Sequence, residues 1–323
     1  MKILLVTVYS ISFVEKDLKI LQSKYEVTYC NLYNDSTLYL IKEILKNDLV
    51  FFWFASIRFF LPLIVTKILK KKIIILTGGY DVVSLKDLNY GSMSSRWKSI
   101  VVKFMLKLSD KVLSVSLSNT NELITNCNIS PSKIEMIYHG FEEVGQVNFS
   151  KKTDIIITVA FINKSSFYRK GIDRFLKLAE NLPYLKFHLI GKMDFYPINE
   201  SIPENLVIHG FLEKGKLESI LESAKIYIQF SRHEGFGCSV AEAMQFGCIP
   251  VVSNSFSLPE VVGDCGLIIA DFSNYNEIAT QIRKLLENYK LDMSIKCIER
   301  INNKFNYRQR KTKLINIIEN LKN

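Results

Sequence analysis

Strand-like runs alternate with segments of helical period along nearly the whole chain. In the first half the runs fall near Ile3–Val8, Tyr25–Tyr29, Leu49–Phe54, Ile73–Leu76, Lys111–Val115 and Ile134–Ile137. Helical stretches such as Thr37–Lys46 and Asn119–Asn126 lie between them, and Asn128–Pro131 reads as a turn. Between His139 and Thr153 the pattern lapses into glycine and polar residues, as an interdomain connection would. Alternation then resumes through Ile155–Val159, Ile172–Glu180, Phe187–Ile190, Leu206–His209, Leu217–Ser223, Ile226–Phe230, Ser239–Phe246 and Ile249–Val252. Such alternation predicts α/β architecture, with parallel sheets covered by helices on both faces. A chain of 323 residues suits two domains. We expect two doubly wound, Rossmann-like domains at 1–148 and 149–305, followed by a helix at 306–323. In such sheets ligands bind beyond the carboxyl ends of the strands, so a central cleft between the domains is the expected site.

One segment tests this picture. Residues 49–65 are apolar except for Ser56, Arg58 and Pro62, close to the length of a membrane span. Pro62 sits where a helix would begin, however, and Lys70-Lys71-Lys72 precede another strand-like run. Strand, helix, strand is therefore the expected reading. Charge is unevenly placed: residues 58–111 hold eleven Lys and Arg against three Asp, a net +8 of the chain's +10. Within it, Ser95–Ser109 has Trp97, Val101, Phe104 and Leu108 at helical spacing beside Arg96, Lys103 and Lys107. Two readings are open. The apolar stripe faces the core with solvated lysines at its flank, or the basic face rests on an anionic membrane surface or receives an anionic acceptor. Nucleic acid would suit the charge as well, but no recognised nucleic-acid module accompanies it.

Six scattered cysteines without a C-x-x-C pair argue against a zinc site or a disulfide framework and fit a reducing, cytoplasmic compartment. The opening Met1–Val6 reads as a first buried strand rather than a leader, because its apolar run is short and no small-residue cleavage site follows.

The densest chemical signal is Ser231-Arg-His-Glu-Gly-Phe-Gly-Cys-Ser-Val-Ala-Glu242, which continues to Pro250. A buried strand runs into a turn bearing Gly235 and Gly237 and then into a helix. The glycines let backbone approach a ligand, and the amides of a helix's first turn favour an anion such as a pyrophosphate. Glu234 in the turn and Glu242 on the helix can accept hydrogen bonds from different hydroxyls of one extended ligand.

This segment resembles the E-x7-E motif of family 4 retaining glycosyltransferases. Pro250-Val-Val-Ser, Pro259-Glu260-Val-Val and Gly266-Leu-Ile-Ile follow in that family's order. Upstream, Arg169-Lys170-Gly171-Ile172-Asp173, Phe187–Gly191 and Val207–Gly210 resemble its earlier donor-domain steps. Ser116 and Ile137–Phe141 resemble the signatures that close its acceptor domain. The resemblance covers roughly Ile73 to Leu286 and implies the GT-B fold. It implies a donor site of Arg169, Lys170, Glu234, Gly235, Phe236, Gly237, Cys238, Ser239 and Glu242. There Glu242 would bind ribose, Glu234 the sugar hydroxyls, and Lys170 the pyrophosphate. The acceptor side would comprise Gly78, Gly79, Tyr80, Asp81 and His139, with Lys170, Glu234 and Asp81 as the catalytic groups. Asp81 is also open to a bland reading, as a carboxylate capping the turn after Gly78-Gly79. His233 is expected to be packed or solvated rather than functional, and His188 and His209 structural.

The implied reaction is retaining, front-face transfer of a hexose from a UDP- or GDP-linked sugar to a glycan or lipid-linked acceptor. It needs no protein nucleophile, metal or cofactor beyond the nucleotide-sugar co-substrate, and would take place in the cytoplasm or at the cytoplasmic face of the membrane. The tail helix would cross back to the first domain or cap the second. Three departures stand out. Gly78 occupies the place of the family's usual His, and Phe161 that of an Arg, with Arg169 or Lys164 as candidate substitutes and Asn163–Tyr168 as extra residues. No glycine-rich loop is expected across Thr7–Phe13. These losses leave a second reading, a catalytically degenerate glycan-binding or scaffold protein. An oxidoreductase is disfavoured by the lack of G-x-G-x-x-G after a first strand.

Overall fold

The computed structural model describes residues 1–9, 12–197 and 201–321. Part of the Thr7–Phe13 segment and the last two residues of the expected tail helix lie outside these. The chain divides into two compact units, Met1–Gly140 with Tyr307–Asn323, and Phe141–Asn306.

The first unit runs β1 (Lys2–Thr7), α1 (Ser12–Gln22), β2 (Glu26–Asn31), α2 (Thr37–Lys46), β3 (Leu49–Trp53), α3 (Phe60–Ile68) and β4 (Lys72–Thr77). It continues through α4 (Arg96–Leu108), β5 (Lys111–Ser114), α5 (Leu117–Thr125) and β6 (Ile134–Met136). Its six strands are parallel, in the order β2-β1-β3-β4-β5-β6. All five residues of β3 are buried; a central parallel strand covered on both faces has no use for the polar half of an alternating pattern. Residues 49–65 thus form a strand and the start of a helix, with Pro62 in the first turn of α3. Among the described residues no helix is long and apolar enough to cross a membrane.

Helix α4 differs from one of its two expected readings. Its buried positions are Val102, Met105 and Leu106, not the Trp97–Val101–Phe104–Leu108 stripe. Trp97, Ile100 and Phe104 point to solvent. The helix is apolar on more than one face, and packing against α3 and the sheet selects the 102/105/106 side.

The second unit runs β7 (Thr153–Val159), α6 (Lys164–Arg169), α7 (Ile172–Asn181), β8 (Lys186–Ile190), β9 (Leu206–Gly210), α8 (Lys214–Ser223) and β10 (Ala224–Gln229). Then come α9 (Cys238–Gln245), β11 (Ile249–Ser253), α10 (Leu258–Val262), β12 (Leu267–Ile269), α11 (Tyr275–Glu287) and α12 (Leu291–Lys304). Its sheet is again parallel and six-stranded, in the order β12-β11-β10-β7-β8-β9. The boundary falls at Gly140/Phe141 rather than at 148/149. The reason is local: Phe141 bridges Asn306 in parallel, and its amide donates to the Phe305 carbonyl at 2.8 Å.

The final helix α13 (Tyr307–Asn320) belongs to the first unit, where it packs on α1. Arg310 is its anchor. The guanidinium donates to both carboxylate oxygens of Asp17 at 2.6 Å, and to the carbonyls of Tyr138 at 2.7 Å and Ile137 at 3.3 Å. Trp53 Nε1 also donates to Asp17, at 2.9 Å.

Candidate functional site

Both sheets change direction once, and each change makes a crevice. In the second unit the chain steps outward from β7 to β8 and β9, then returns to lay β10 against the other side of β7. Loops after β7 and β10 therefore diverge, leaving the kind of opening in which doubly wound folds bind ligands. The segments carrying Lys170 and Glu234 follow these two strands.

Glu234 rests on a shelf built by one face of β10. Tyr227, Gln229 and Ser231 are buried polar residues at alternate positions between apolar Ile226, Ile228 and Phe230. Tyr227 donates to Gln229 Oε1 at 3.0 Å, which orients the amide so that its Nε2 donates to Glu234 at 3.2 Å. Ser231 Oγ donates to the same carboxylate oxygen at 2.8 Å, and Lys170 Nζ at 2.6 Å. The Glu234 and Lys170 side chains keep only 11% and 19% of their exposure. Burial pushes the Glu234 carboxyl up, but the Lys170 and Arg169 charges and the bonds from Lys170 and Ser231 outweigh it, holding the group below its ordinary range. It is an oriented carboxylate at neutral pH.

Lys170 reaches this position because of Gly171. That residue has φ 70°, and a Cβ there would lie 2.1 Å from the Phe230 carbonyl oxygen. Only glycine lets the start of α7 close on the end of β10. The corner is further stitched by the Arg232 amide, which donates to the Arg169 carbonyl at 2.7 Å. The Arg232 guanidinium makes a two-pronged pair with Asp173 at 2.9 and 2.7 Å. Arg169 donates to the His233 carbonyl at 3.4 Å and places its charge on Glu234. Between the two candidate substitutes for the missing Arg, the structure puts Arg169 beside the carboxylate and Lys164 on an exposed helix start. The extra residues Asn163–Tyr168 supply the N-cap and all but the last residue of α6, with a full capping box between Asn163 and Ser166.

Beyond Glu234 the chain passes Gly235 and the buried Phe236, whose ring packs on Phe141 and Phe305. That burial leaves Phe236 only its backbone to offer a ligand. Gly237, at φ 97°, caps α9, so Cys238 and Ser239 form its first turn, with the dipole's positive end towards the turn. The Ser239 side chain bonds Tyr227, and Glu242, half-buried on α9, acts on Tyr227 through its charge. Lys170, Glu234, Ser239 and Glu242 thus converge on the end of β10. His233 is buried against Phe256, a packed imidazole as expected. His188 and His209 pair with each other at 3.2 Å on β8 and β9.

Gln229, Ser231 and Arg232 were absent from the expected site. The signal for the first two is the row of polar residues at every second position of an otherwise apolar central strand.

In the first unit the direction changes between β1 and β3. A cavity of about 430 Å³ opens there, lined by Tyr9 after β1, Phe54 and Arg58 after β3, Tyr80 and Asp81 after β4, and Lys98 of α4. Asp81 lies beneath it at 4% exposure. Its carboxylate accepts from the amides of Ala55 at 3.1 Å, Gly78 at 3.1 Å and Gly79 at 3.0 Å, so it organises the turn, as the bland reading has it. His139 is not on an open wall. It is 7% exposed, between the rings of Phe13 and Trp53, and burial, then the Arg310 and Lys16 charges, push its pKa well down. Burial thus favours the neutral imidazole, which lies against both rings. Gly78 lies under the Phe54 ring: a Cβ there would be 2.0 Å from Phe54 Cε1. Phe54 itself has φ 72°, rare for an aromatic residue.

Burial raises Asp81 from 3.8 to about 6 against the pull of those amides. Between these values the folded chain keeps a proton that the unfolded chain has released. The group's contribution is therefore most favourable below pH 3.8 and is lost as pH rises through about 6. Denaturant titrations should show the unfolding free energy of Asp81→Asn gaining on wild type as pH climbs through that window. A difference that stays flat with pH would refute this reading.

Among the described residues no group of three or more His, Cys, Asp or Glu is placed to hold a metal ion. Comparison with known proteins adds to this geometry. Residues 141–303, nearly the whole second unit, match the family model described as glycosyl transferases group 1. An uncharacterised 41.2 kDa protein in the cps region of Klebsiella pneumoniae is 24% identical over 240 residues, covering 69% of this chain and 65% of that protein. The N-acetylgalactosamine-N,N'-diacetylbacillosaminyl-diphospho-undecaprenol 4-alpha-N-acetylgalactosaminyltransferase of Campylobacter jejuni is 24% identical over 222 residues, 63% of this chain and 59% of that enzyme. The chain thus spans less than two thirds of these curated relatives. The crystal structure of Anabaena HepE with UDP-glucose superposes with a TM-score of 0.77 at 13% identity, covering 99% of this chain and 100% of that one. The fold of the two units is GT-B.

Proposed function

The chain belongs to the glycosyl transferases group 1 family, and from that premise we propose that it is a retaining hexosyltransferase drawing on a UDP- or GDP-linked sugar. One observation carries the proposal: the Lys170–Glu234 pair, held at 2.6 Å beside the first turn of α9. A nucleoside diphosphate sugar needs a cation and helix amides for its pyrophosphate and carboxylates for its hydroxyls, and this corner supplies both. In this reading Lys170 and the backbone of Phe236, Gly237 and Cys238 meet the diphosphate, Glu234 orients the sugar hydroxyls, and Glu242 accepts from the ribose.

Transfer then proceeds on one face of the sugar. The bond from the anomeric carbon to the diphosphate oxygen breaks, with its electron pair leaving on the diphosphate. The acceptor hydroxyl oxygen forms the new bond on the same face and gives its proton to the departing phosphate oxygen. No protein nucleophile or metal takes part. Positioning and stabilisation of the leaving diphosphate supply the catalysis. The UDP-glucose of HepE and the diphospho-undecaprenol-linked acceptor in the Campylobacter enzyme's name support a nucleotide-sugar donor and a lipid-linked glycan acceptor. Asp81 enters this reading as the group that shapes the acceptor turn Gly78–Asp81. The degenerate alternative draws on Gly78 and the overlying Phe54, and is opposed by the intact donor corner.

Calorimetry with a panel of UDP- and GDP-sugars tests the proposal. One donor should bind, and Glu242→Ala should weaken it by roughly 10- to 100-fold, the worth of a charge-assisted hydrogen bond. Failure of every donor to bind the folded protein would sink it.

A further inference from the structure

Helices α3 and α4 lie side by side in the first unit and leave apolar side chains on their outer faces. Phe60, Leu61 and Ile68 project from α3; Trp97, Ile100 and Phe104 project from α4, with Ile68 at 73% and Ile100 at 69% exposure. The rings of Phe60 and Phe104 meet at 6.1 Å, joining the two rows. The core is filled by the opposite side of α4, through Val102, Met105 and Leu106, and these side chains stay outside it. Contiguous exposed apolar surface of this kind marks a docking face.

Charge identifies the partner. The two helices carry Lys67, Arg96, Lys98, Lys103 and Lys107 and not one carboxylate, although Lys67 lies 3.7 Å from Asp110 just beyond α4. The Lys98 ammonium stands 5.8 Å from the Trp97 ring centre, at the border between apolar ridge and basic flank. A protein partner or a second copy of this chain, itself net positive, would meet the basic flank only by supplying an acidic counterpart. An anionic bilayer offers both halves at once, a hydrocarbon boundary for aromatic and aliphatic side chains and phosphates for the lysines. Arg58 and Lys98 also line the cavity over Asp81, so the ridge begins where that cavity opens.

We propose that the α3–α4 ridge seats the chain on an anionic lipid surface, with Trp97, Ile100 and Phe104 entering the headgroup boundary. The ridge goes beyond the proposed transfer reaction, and its test contains no sugar donor. The full chain is mixed with vesicles of phosphatidylcholine alone, or of phosphatidylcholine with phosphatidylglycerol, and sedimented. It should pellet with the anionic vesicles, less so at high salt, and its tryptophan emission should shift to the blue. Trp53 is already buried, so of the chain's two tryptophans the shift reports Trp97. Ile100→Asp with Phe104→Asp should weaken vesicle binding by about tenfold or more, as expected for losing two buried apolar side chains. Lys103→Glu with Lys107→Glu should abolish the preference for anionic lipid. The proposal is overturned if wild type stays in solution with both vesicles, or if either pair leaves pelleting unchanged. It is equally overturned if the chain is a dimer in solution that Ile100→Asp dissociates, which would give the ridge to a second copy. An active transferase that ignores vesicles defeats the ridge alone, and an inactive protein that binds them defeats only the transferase reading.

Discussion

On the proposed mechanism, Lys170→Ala should lower kcat by roughly 10²- to 10³-fold while KM moves little, because there its ammonium would act most strongly on the charge developing on the departing diphosphate. The substitution also strips Glu234 of the cation that keeps it ionised. In wild type, burial would raise that carboxyl and the neighbouring charges win. Without Lys170 the balance tilts towards burial, so the acid limb of the kcat/KM profile should move to higher pH. The same balance acts on stability. A carboxyl depressed in the folded state contributes above its unfolded pKa and loses that contribution as pH falls through the folded value. Lys170→Ala should therefore show a smaller loss of stability on acidification than wild type. Lys170→Arg restores the charge and should recover part of both effects. Unchanged kcat in Lys170→Ala, with the fold intact, would remove the residue from the mechanism.

The second large effect concerns the fold. Arg310→Met should destabilise the first unit by about 3–5 kcal/mol, since it leaves the buried Asp17 carboxylate without its cation. For a unit of this size that corresponds to a fall in Tm of roughly 10 °C. The side chains of Asp17 and Arg310 are 0% and 2% exposed, so solvent cannot take over the lost partner. Asp17→Asn with Arg310→Met should cost less than Arg310→Met alone, because no buried charge then remains. It should not return to wild type, since the Ile137 and Tyr138 carbonyls lose their donor. Thermal unfolding of Arg310→Met, of Asp17→Asn alone and of the double variant gives the cycle, and additive effects would contradict the assignment.

What the sequence made legible follows the range of each interaction. The continuous apolar run Leu49–Trp53 announces a central parallel strand, because local composition alone encodes burial on both faces. The strand–turn–helix step around Glu234 was also readable, because turn, glycine and helix start lie within a few residues of one another. The shelf beneath it was only half visible: Gln229 at the strand's end and Ser231 just after it stand as polar interruptions, but the convergence of Lys170 on them depends on β7 and β10 becoming neighbours. The Asp17–Arg310 pair joins positions 293 residues apart, and neither end has a local pattern that names the other. Helix α4 misled for a different reason. With Val101, Val102, Phe104, Met105, Leu106 and Leu108 nearly in succession, helical period fits two faces, and only the shape of the neighbouring elements selects one.

Phe54 and Gly78 carry a consequence for how such a chain can change over generations. The ring over Gly78 occupies the space any side chain at that position would need, so histidine cannot enter there by a single substitution unless the ring swings away. A smaller residue at position 54 would open the same space without that movement. Its positive φ makes glycine the least strained replacement, and such an intermediate would carry neither the ring nor the imidazole. A side chain at position 78 and the Phe54 ring thus compete for one space, so what stands at either position limits what the other can hold.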